Sequence, residues 1–172
     1  RDDDLAAQGI KVNDPGNPGK IYICGKAITK FHEIDSETLE ILEIIRRNDT
    51  RRMRLMIEKV VQVARERGVE LDLIEVSIVQ MVVDQCGRPR DTIYLQERHI
   101  SRAIQEWIFD HDEAQRSALL KKLLNDPQFS SDDPVKIQNE IRARLLKAGK
   151  PAFVEDSYIG LKDSLKLILG LG

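Results

Sequence analysis

Hydrophobic residues recur at three- and four-residue intervals through most of the chain after position 35. This spacing places them on one face of an α-helix. The first such segment covers 35–67, with Asp35 or Ser36 as its N-cap and Gly68 just beyond its end. The same pattern predicts five shorter helices, at 73–86, 95–109, 112–126, 134–148 and 160–169. The sequence therefore predicts a mainly α fold of about six helices.

Capping residues support these boundaries. Asp112 is the predicted N-cap of the fourth helix. Asp133 is the predicted N-cap of the fifth, with Pro134 in the first turn and Gly149 after the last. The polar run Asn-Asp-Thr at 48–50 marks a weak point where the long first helix could bend or break into two.

The first 34 residues follow a different pattern. Residues 1–19 are polar and rich in Gly and Pro, and "KIYICGKAI" (20–28) alternates apolar and polar positions. Alternation predicts one short strand at about 21–24. An isolated strand is not stable, so it is expected to pair outside the chain, lie against the helices or form a dimer contact. The chain thus divides into an N-terminal loop and strand (1–34), a helical region (35–148) and a C-terminal segment (149–172).

Composition favours a soluble globular protein. The 172 residues suit one domain, with 41% hydrophobic and 33% charged residues, and aromatics are so few that aliphatic side chains must fill the core. A net charge of −2 gives no general reason to expect nucleic acid or an anionic membrane as partner. No apolar run reaches the length of a membrane span. Cys24 and Cys86 fit no metal or redox spacing, which favours reduced thiols and a cytoplasmic location.

The C-terminal segment "LKDSLKLILGLG" is apolar where chain ends are usually polar. Its apolar side chains need a covering surface that the sequence does not supply. The chain is therefore expected to be cut from a longer protein, and these apolar ends to contact the missing remainder or a second copy of the chain. The residues concerned are Leu165, Leu167, Ile168 and Leu169.

An arginine cluster, "RRNDTRRMR", is a candidate phosphate-binding site. Arg47, Arg51 and Arg54 are spaced four and three residues apart, so a continuous helix would align them on one face. Guanidinium groups pair well with phosphate oxygens. The alternative is a solvated helix face whose charge is neutralised by nearby acidic residues, and the sequence leaves both interpretations open. The acidic residues are Glu40, Glu43, Asp49 and Glu58.

The three histidines are the other candidates for chemistry. His99 stands near the start of the third predicted helix, where it can be a metal ligand, a base or a structural residue, and residue chemistry alone favours a structural role. In "FDHDE" (109–113), Asp110, His111 and Asp112 are possible metal ligands, but consecutive residues point in different directions and acidic residues at a helix end are commonly caps. His32 lies in a loop without a spaced partner.

Several segments in this order resemble the PHP (polymerase and histidinol phosphatase) family of metal-dependent phosphoesterases. They are the arginine-rich "RRNDTRRMRLMIEKV", "LDLIEV" (71–76), "ERHISRAI" (97–104), "GKPAFV" (149–154) and "YIGLKDSLKLILGLG" (158–172). The resemblance runs from about Lys20 to the end of the chain. It implies a distorted (β/α)₇ barrel holding two or three divalent metals. These metals activate water to attack a phosphoester of a nucleotide, a small nucleic acid or a sugar phosphate.

Within this resemblance, His99 matches a histidine of the family stretch "R-P-H-I-A-R-A-L", which implies a metal ligand, while Arg98 replaces the proline. Tyr22 stands where the family has a second ligand histidine, in "V-H-L-L-G-Y-G-I". The early His-x-His, the Glu and the late Asp-x-His have no counterpart in this chain.

The resemblance therefore predicts a helical insertion with an adjoining barrel fragment. The resemblance also implies that the parent protein is a phosphoesterase that uses Mn, Zn, Mg or Fe and acts on a nucleotide or other phosphoester. One metal ligand does not make a metal centre, so the chain alone is expected to be inactive. The first alternative is a non-catalytic helical interaction or dimerisation module. The second is nucleic-acid binding through Arg47, Arg51 and Arg54.

Overall fold

A computed structural model describes residues 2–12, 17–25 and 33–172. In this part of the chain the structure is mainly helical and contains no strand, which confirms the predicted mainly α class. A 3₁₀ turn (Arg90–Thr92) and a π-helical segment (Arg142–Leu146) accompany the α-helices. The α-helices are α1 (Asp3–Ala7), α2 (Ser36–Glu66), α3 (Glu75–Cys86), α4 (Glu97–Phe109), α5 (Glu113–Leu124), α6 (Pro134–Ile141) and α7 (Leu161–Gly170).

Three acidic residues cap helices where the sequence placed caps. Asp35 accepts a hydrogen bond from the Thr38 amide at 2.8 Å, and this bond lowers the pKa of its carboxyl. Asp112 accepts from the Gln115 amide at 2.9 Å at the start of α5. Asp133 accepts from the Val135 amide at 2.9 Å at the start of α6, with Pro134 as the first helical residue. Because each cap acts within three residues, local sequence is sufficient to specify it.

The prediction of a strand at about 21–24 is wrong, and these residues lie within the described part of the chain. Residues 20–25 form no strand, and Tyr22 is exposed. The Lys20 ammonium lies over the rings of Tyr22 (5.2 Å) and Tyr158 (5.4 Å). A strand needs a second strand for its backbone hydrogen bonds, and the described residues contain none. Residues 26–28 of the same pattern, and His32, lie outside the described residues.

The chain divides into two compact units, one formed by Arg1–Asn48 with Ser157–Gly172 and the other by Asp49–Asp156. Helix α2 contributes residues to both and is unbroken at 48–50, so the expected break there is absent. The division 1–34, 35–148 and 149–172 stays a prediction about a parent protein. In the first unit, Lys166 pairs with Glu37.

The hydrophobic core lies in the unit Asp49–Asp156. Helix α4 packs against α3, α5 and α6 through a stripe of fully buried residues, Ile100, Ile104 and Ile108. These positions follow one another at four-residue steps, which is the periodicity that predicted the helix. The core is aliphatic, as the shortage of aromatics required. Its other fully buried large members are Met56, Val60, Val69, Ile78, Leu123, Ile137, Ile141, Leu145 and Leu146.

The segment "GKPAFV" (149–154) packs against the helices of this unit. Ala152 is fully buried, and its amide donates to the Leu145 carbonyl at 2.9 Å. Lys59 of α2 donates to the Phe153 carbonyl at 2.8 Å, and the Nε of Arg52 donates to the Val154 carbonyl at 3.1 Å. The segment therefore holds two cationic side chains of α2 in place through backbone carbonyls.

Candidate functional site

A polar cavity of ≈ 220 Å³ opens at the N-terminal end of α4 and is called the α4 cavity below. Charged side chains reach it from α2, from the first turn of α4 and from the π-helical segment. Convergent polar groups in a concave site can fix the orientation of a bound ligand. The lining residues are Asp49, Arg52, Met53, Leu95, Gln96, Glu97, Arg98 and Arg142.

Glu97 lies at the centre of the charge network. Its side chain is only 16% exposed, and its Oε1 accepts a hydrogen bond from Arg52 Nη2 at 3.3 Å. The other oxygen, Oε2, lies 3.1 Å from Lys147 Nζ and 3.9 Å from Arg142 Nη2, but no hydrogen bond to it has suitable geometry among the described residues. One carboxylate thus faces three cations, and the surplus charge around it is positive.

Arg52 is the most firmly held of these cations. Beyond its bonds to Glu97 and the Val154 carbonyl, its Nη2 lies 2.9 Å from Asp156 Oδ1. Its side chain is 14% exposed. A buried guanidinium needs this number of acceptors to offset its desolvation. Arg52 therefore forms a fixed wall of the cavity rather than a mobile surface charge.

Arg142 is held differently. It begins the π-helical segment, where the Lys147 amide donates to the Arg142 carbonyl at 3.0 Å across five residues. Such π segments occur frequently at functional sites. The Nε of Arg142 is buried and has no hydrogen-bond partner among the described residues, which is unfavourable for a charged donor. Arg98 contributes a further guanidinium from the exposed side of the cavity.

Asp49 stands at the rim of the cavity. Much of the residue is exposed, yet withdrawal of its carboxyl from water raises its pKa. The charge of Arg52 acts in the opposite direction, and that of Asp156 raises the pKa further. The rim carboxyl is therefore easier to protonate than an ordinary aspartate.

His99, the predicted metal ligand, lies in the first turn of α4. Its Nδ1 accepts a hydrogen bond from the Gln96 amide at 3.1 Å, so the ring caps the helix as a neutral imidazole. Burial, then the charges of Arg98 and Arg102, lower its pKa. A metal bound at Nε2 would leave the proton on Nδ1, facing the Gln96 N–H. In this position the His99 ring caps the start of α4. Its role as a metal ligand stays a prediction.

The remaining candidate ligands are also engaged in local structure. The Nδ1 of His111 donates to the Trp107 carbonyl at 3.0 Å, and Asp112 caps α5, which supports the structural interpretation of "FDHDE". Cys24 and Cys86 are exposed free thiols. Within residues 2–12, 17–25 and 33–172, no three His, Cys, Asp or Glu side chains gather as a metal site would require. The described residues therefore do not fit a divalent metal centre.

Of the predicted phosphate-binding arginines, all three are exposed on α2. Arg47 belongs to the first unit and the other two to the second. Arg54 is bound by Glu75, with Nε 2.8 Å from Oε2, an ion pair that raises the pKa of the guanidinium. None of the three lines the α4 cavity. Their role as phosphate ligands stays a prediction.

Sequence reasoning did not single out Arg52, Glu97 or Arg142. Arg52 and Glu97 are 45 positions apart, and Arg142 lies in a third element. No spacing rule joins residues so far apart. The only local signal was the arginine-rich run around Arg52, in which the predicted helix face selected the neighbouring arginines.

Comparison of the chain with models of known families, with characterised proteins and with solved structures finds no match. Within the described part of the chain, no helix combines the length and apolar character needed to cross a membrane. The charge network and the geometry of the α4 cavity are accordingly the basis for assigning a function.

Proposed function

We propose that this chain is the helical part of a metal-dependent phosphoesterase of the PHP type, and that its α4 cavity holds a phosphate group of the substrate. The observation that carries the proposal is the buried, unpartnered Nε of Arg142 in a cavity that two further arginines line. The order of "ERHISRAI", "GKPAFV" and the C-terminal segment supports the family assignment.

The chemistry of the cavity suits a phosphate better than a neutral ligand. A guanidinium presents planar N–H donors that match two oxygens of a phosphate. Water occupies about 30 Å³ per molecule in the liquid, so a cavity of ≈ 220 Å³ has room for several waters or for a phosphate that replaces them. In this proposal a shift of the Arg142 side chain on binding gives its buried Nε the phosphate acceptor that it lacks, which offsets an existing cost of burial.

Glu97 has a positioning role in this proposal. Its carboxylate repels an anion, but it also holds Arg52 and Lys147 by ion pairs. These contacts fix the cationic side chains before a ligand arrives. Preorganised charge binds more tightly than charge that must be ordered on binding. Glu97 thus weakens the attraction of the cavity for an anion but keeps the cationic side chains in a fixed geometry.

In this proposal the chain binds and orients the phosphoester, whereas the metals and the attacking water belong to the remainder of a PHP barrel. The chain alone is then inactive. The substrate class is a nucleotide or another phosphoester. The family part of the proposal is tested by reading the coding sequence on both sides of this chain. An upstream "D-x-H-x-H" followed by "T-D-H-D" is expected, and an open reading frame without them overturns the family assignment.

The cavity is tested by titrating the full chain with phenyl phosphate in a calorimeter. The Arg142→Gln change is expected to weaken binding by about tenfold, the size of one lost charged hydrogen bond. Arg51→Gln is the matched control, because Arg51 is exposed on α2 and does not line the cavity. If Arg51→Gln weakens binding and Arg142→Gln does not, the arginine face of α2 is the site instead. Turnover of p-nitrophenyl phosphate by this chain with Mn²⁺ would contradict the proposed inactivity.

A non-catalytic interaction module is the second candidate. The observation in its favour is the exposure of large apolar side chains on α7, where Leu165 is 47% and Leu169 77% exposed. Exposed apolar surface of this kind is typical of a protein contact. Failure of the chain to bind any phosphoester would favour this candidate over the enzyme.

A further inference from the structure

A second concave surface, called the α2 groove below, lies between α2 and the segment leading into α3. It is larger than the α4 cavity, at ≈ 540 Å³, and more of its lining is apolar. Ile57 and Leu73 are buried at its base, whereas Ile74 and Val76 are 58% and 54% exposed. The lining residues are Arg54, Ile57, Glu58, Val61, Gln62, Arg65, Leu73, Ile74, Glu75 and Val76.

The α2 side of the groove is one continuous helix face. Its members recur at three- and four-residue steps from Arg54 to Arg65. At 1.5 Å per residue this face is about 16 Å long. Solvent-exposed apolar side chains beside a straight helix face suit a second helix packed alongside it.

The charged side chains on this face of α2 are complementary to those of a second, antiparallel copy of the same face. Glu58 and Arg65 are exposed, seven residues apart, and therefore project on the same side two turns apart. Within the described part of the chain, neither takes part in an ion pair, whereas Arg54 is bound by Glu75. The face thus presents one negative and one positive side chain outside any ion pair, on either side of Val61 and Gln62. The charge of Glu58 also acts on Arg54 of the same helix.

We propose that the α2 groove packs against the same surface of a second copy of this chain, with the two α2 helices antiparallel. A two-fold axis between Val61 and Gln62 brings Glu58 opposite the partner's Arg65, and Arg65 opposite the partner's Glu58. A parallel arrangement would instead oppose like charges. The same arrangement covers Ile74 and Val76, which removes exposed apolar surface from water. This dimer stands independently of the phosphate site.

The test is a charge-reversal set on the full chain, followed by sedimentation equilibrium over a concentration series. Glu58→Arg and Arg65→Glu each place like charges across the axis, and each is expected to raise the dimer dissociation constant at least about tenfold. The double variant Glu58→Arg/Arg65→Glu re-forms both pairs and is expected to return to within about threefold of the unmodified chain. Lys136→Glu, an exposed change on α6 away from the groove, is the matched control.

A second measurement uses position 62, close to the proposed axis. In a chain with Cys24→Ser and Cys86→Ser, Gln62→Cys is expected to form a disulfide-linked dimer on mild oxidation, and Lys136→Cys is expected not to. Circular dichroism checks that each variant keeps its helices. A chain that is monomeric at high micromolar concentration overturns the proposal. So does an association that the single charge reversals leave unchanged, or one that the double variant fails to restore, since another partner or geometry would then occupy the groove.

Discussion

The α4 cavity and the α2 groove belong to the same unit but differ in the groups they present. The cavity is small and lined by charges, most of which already have partners of opposite sign. The groove is more than twice as large, and its exposed side chains include two aliphatic residues without cover. A small charged cavity selects a ligand by charge and geometry, whereas a long apolar groove selects by buried area. The two surfaces therefore point to different kinds of partner.

The energetic origins of the two surfaces also differ. Charges in the cavity lose hydration, and the ion pairs of Glu97 and Arg52, with the bond from Arg52 to the Val154 carbonyl, offset this loss. The exposed apolar side chains of the groove stay in water when the chain folds. Burying them in a complex stabilises that complex by roughly 25 cal/mol for every Å² removed from water. Disturbing the cavity should therefore act on folding, and disturbing the groove should act on association.

The largest expected effect follows from removing the central carboxylate. Glu97→Ala leaves Arg52, Arg142 and Lys147 facing one another, and is expected to lower the free energy of unfolding by about 3–5 kcal/mol in urea titrations. The same variant is expected to bind phenyl phosphate less tightly, because Arg52 and Lys147 lose the ion pairs that hold them in place. Glu106→Ala, which breaks an exposed pair on the same helix, is the control and should cost less than about 1 kcal/mol. Equal losses in the two variants would mean that the cavity network is no more than surface charge.

The next largest difference is expected in how ionic strength affects binding at the α4 cavity and at the α2 groove. Raising the ionic strength from about 0.05 to 0.5 M shortens the screening length several-fold, so phosphate binding in the cavity is expected to weaken by about tenfold. Self-association through the groove should weaken less than phosphate binding, because salt screens the Glu58–Arg65 pairs but not the apolar burial. Calorimetry and sedimentation at both salt concentrations measure the two effects. The opposite order of sensitivities would reverse the assignment of the two surfaces.

His99 offers a smaller effect with a defined pH dependence. His99→Ala removes the acceptor of the Gln96 amide and is expected to cost about 1 kcal/mol of unfolding free energy at pH 7.5. The pKa of His99 is lower in the folded chain than in the unfolded one, so as the pH falls through about 6.5 the unfolded chain takes up a proton first. The unmodified chain should therefore lose stability as the pH falls from about 7 through about 6.5.

The measurement is urea unfolding of both chains across this pH window. The difference in unfolding free energy between the unmodified chain and His99→Ala should shrink as the pH falls. Protonation of His99 then favours the unfolded chain and removes the advantage of the cap. A difference that grows at low pH would mean that His99 is charged in the folded protein, and would contradict its role as a neutral cap.

The smallest effect is expected at the rim of the cavity. Because the pKa of Asp49 is raised, its ionised form slightly destabilises the folded chain above that pKa, and this cost disappears as the pH falls through it. Asp49→Asn is therefore expected to raise stability at pH 7 by less than about 1 kcal/mol, given the exposure of the residue. It should also tighten phosphate binding slightly. Loss of stability in this variant would show instead that the attraction of the Arg52 charge for the ionised Asp49 carboxyl dominates.

The helices were predictable because their signals are local. Apolar periodicity and caps such as Asp112 and Asp133 act within a few residues, and the structure places them as expected. The strand at 21–24 failed for the complementary reason. Alternation describes which faces a strand would present, but the strand forms only if another strand supplies its hydrogen bonds.

The candidate site was only partly predictable. An arginine-rich run in α2 was visible, but helical spacing selected Arg47, Arg51 and Arg54, whereas Arg52 lines the cavity. Its partner Glu97 is 45 residues away, and the π-helical turn that places Arg142 has no sequence signature in this chain. His99 was recognised as the unusual residue of its helix. That its ring accepts from the Gln96 amide became visible only with the geometry of the first turn.

Local sequence is sufficient to predict that this chain is helical and where most helices begin and end, since both depend on residues within a few positions of one another. The scarcity of aromatic residues is likewise sufficient to predict an aliphatic core. Tertiary structure alone decided which arginine faces the cavity, that Glu97 is enclosed by three cations, and that one face of α2 remains uncovered. These features arise where α2, α4 and the segment after α6 pack together. Packing brings together residues that no periodicity along the chain relates.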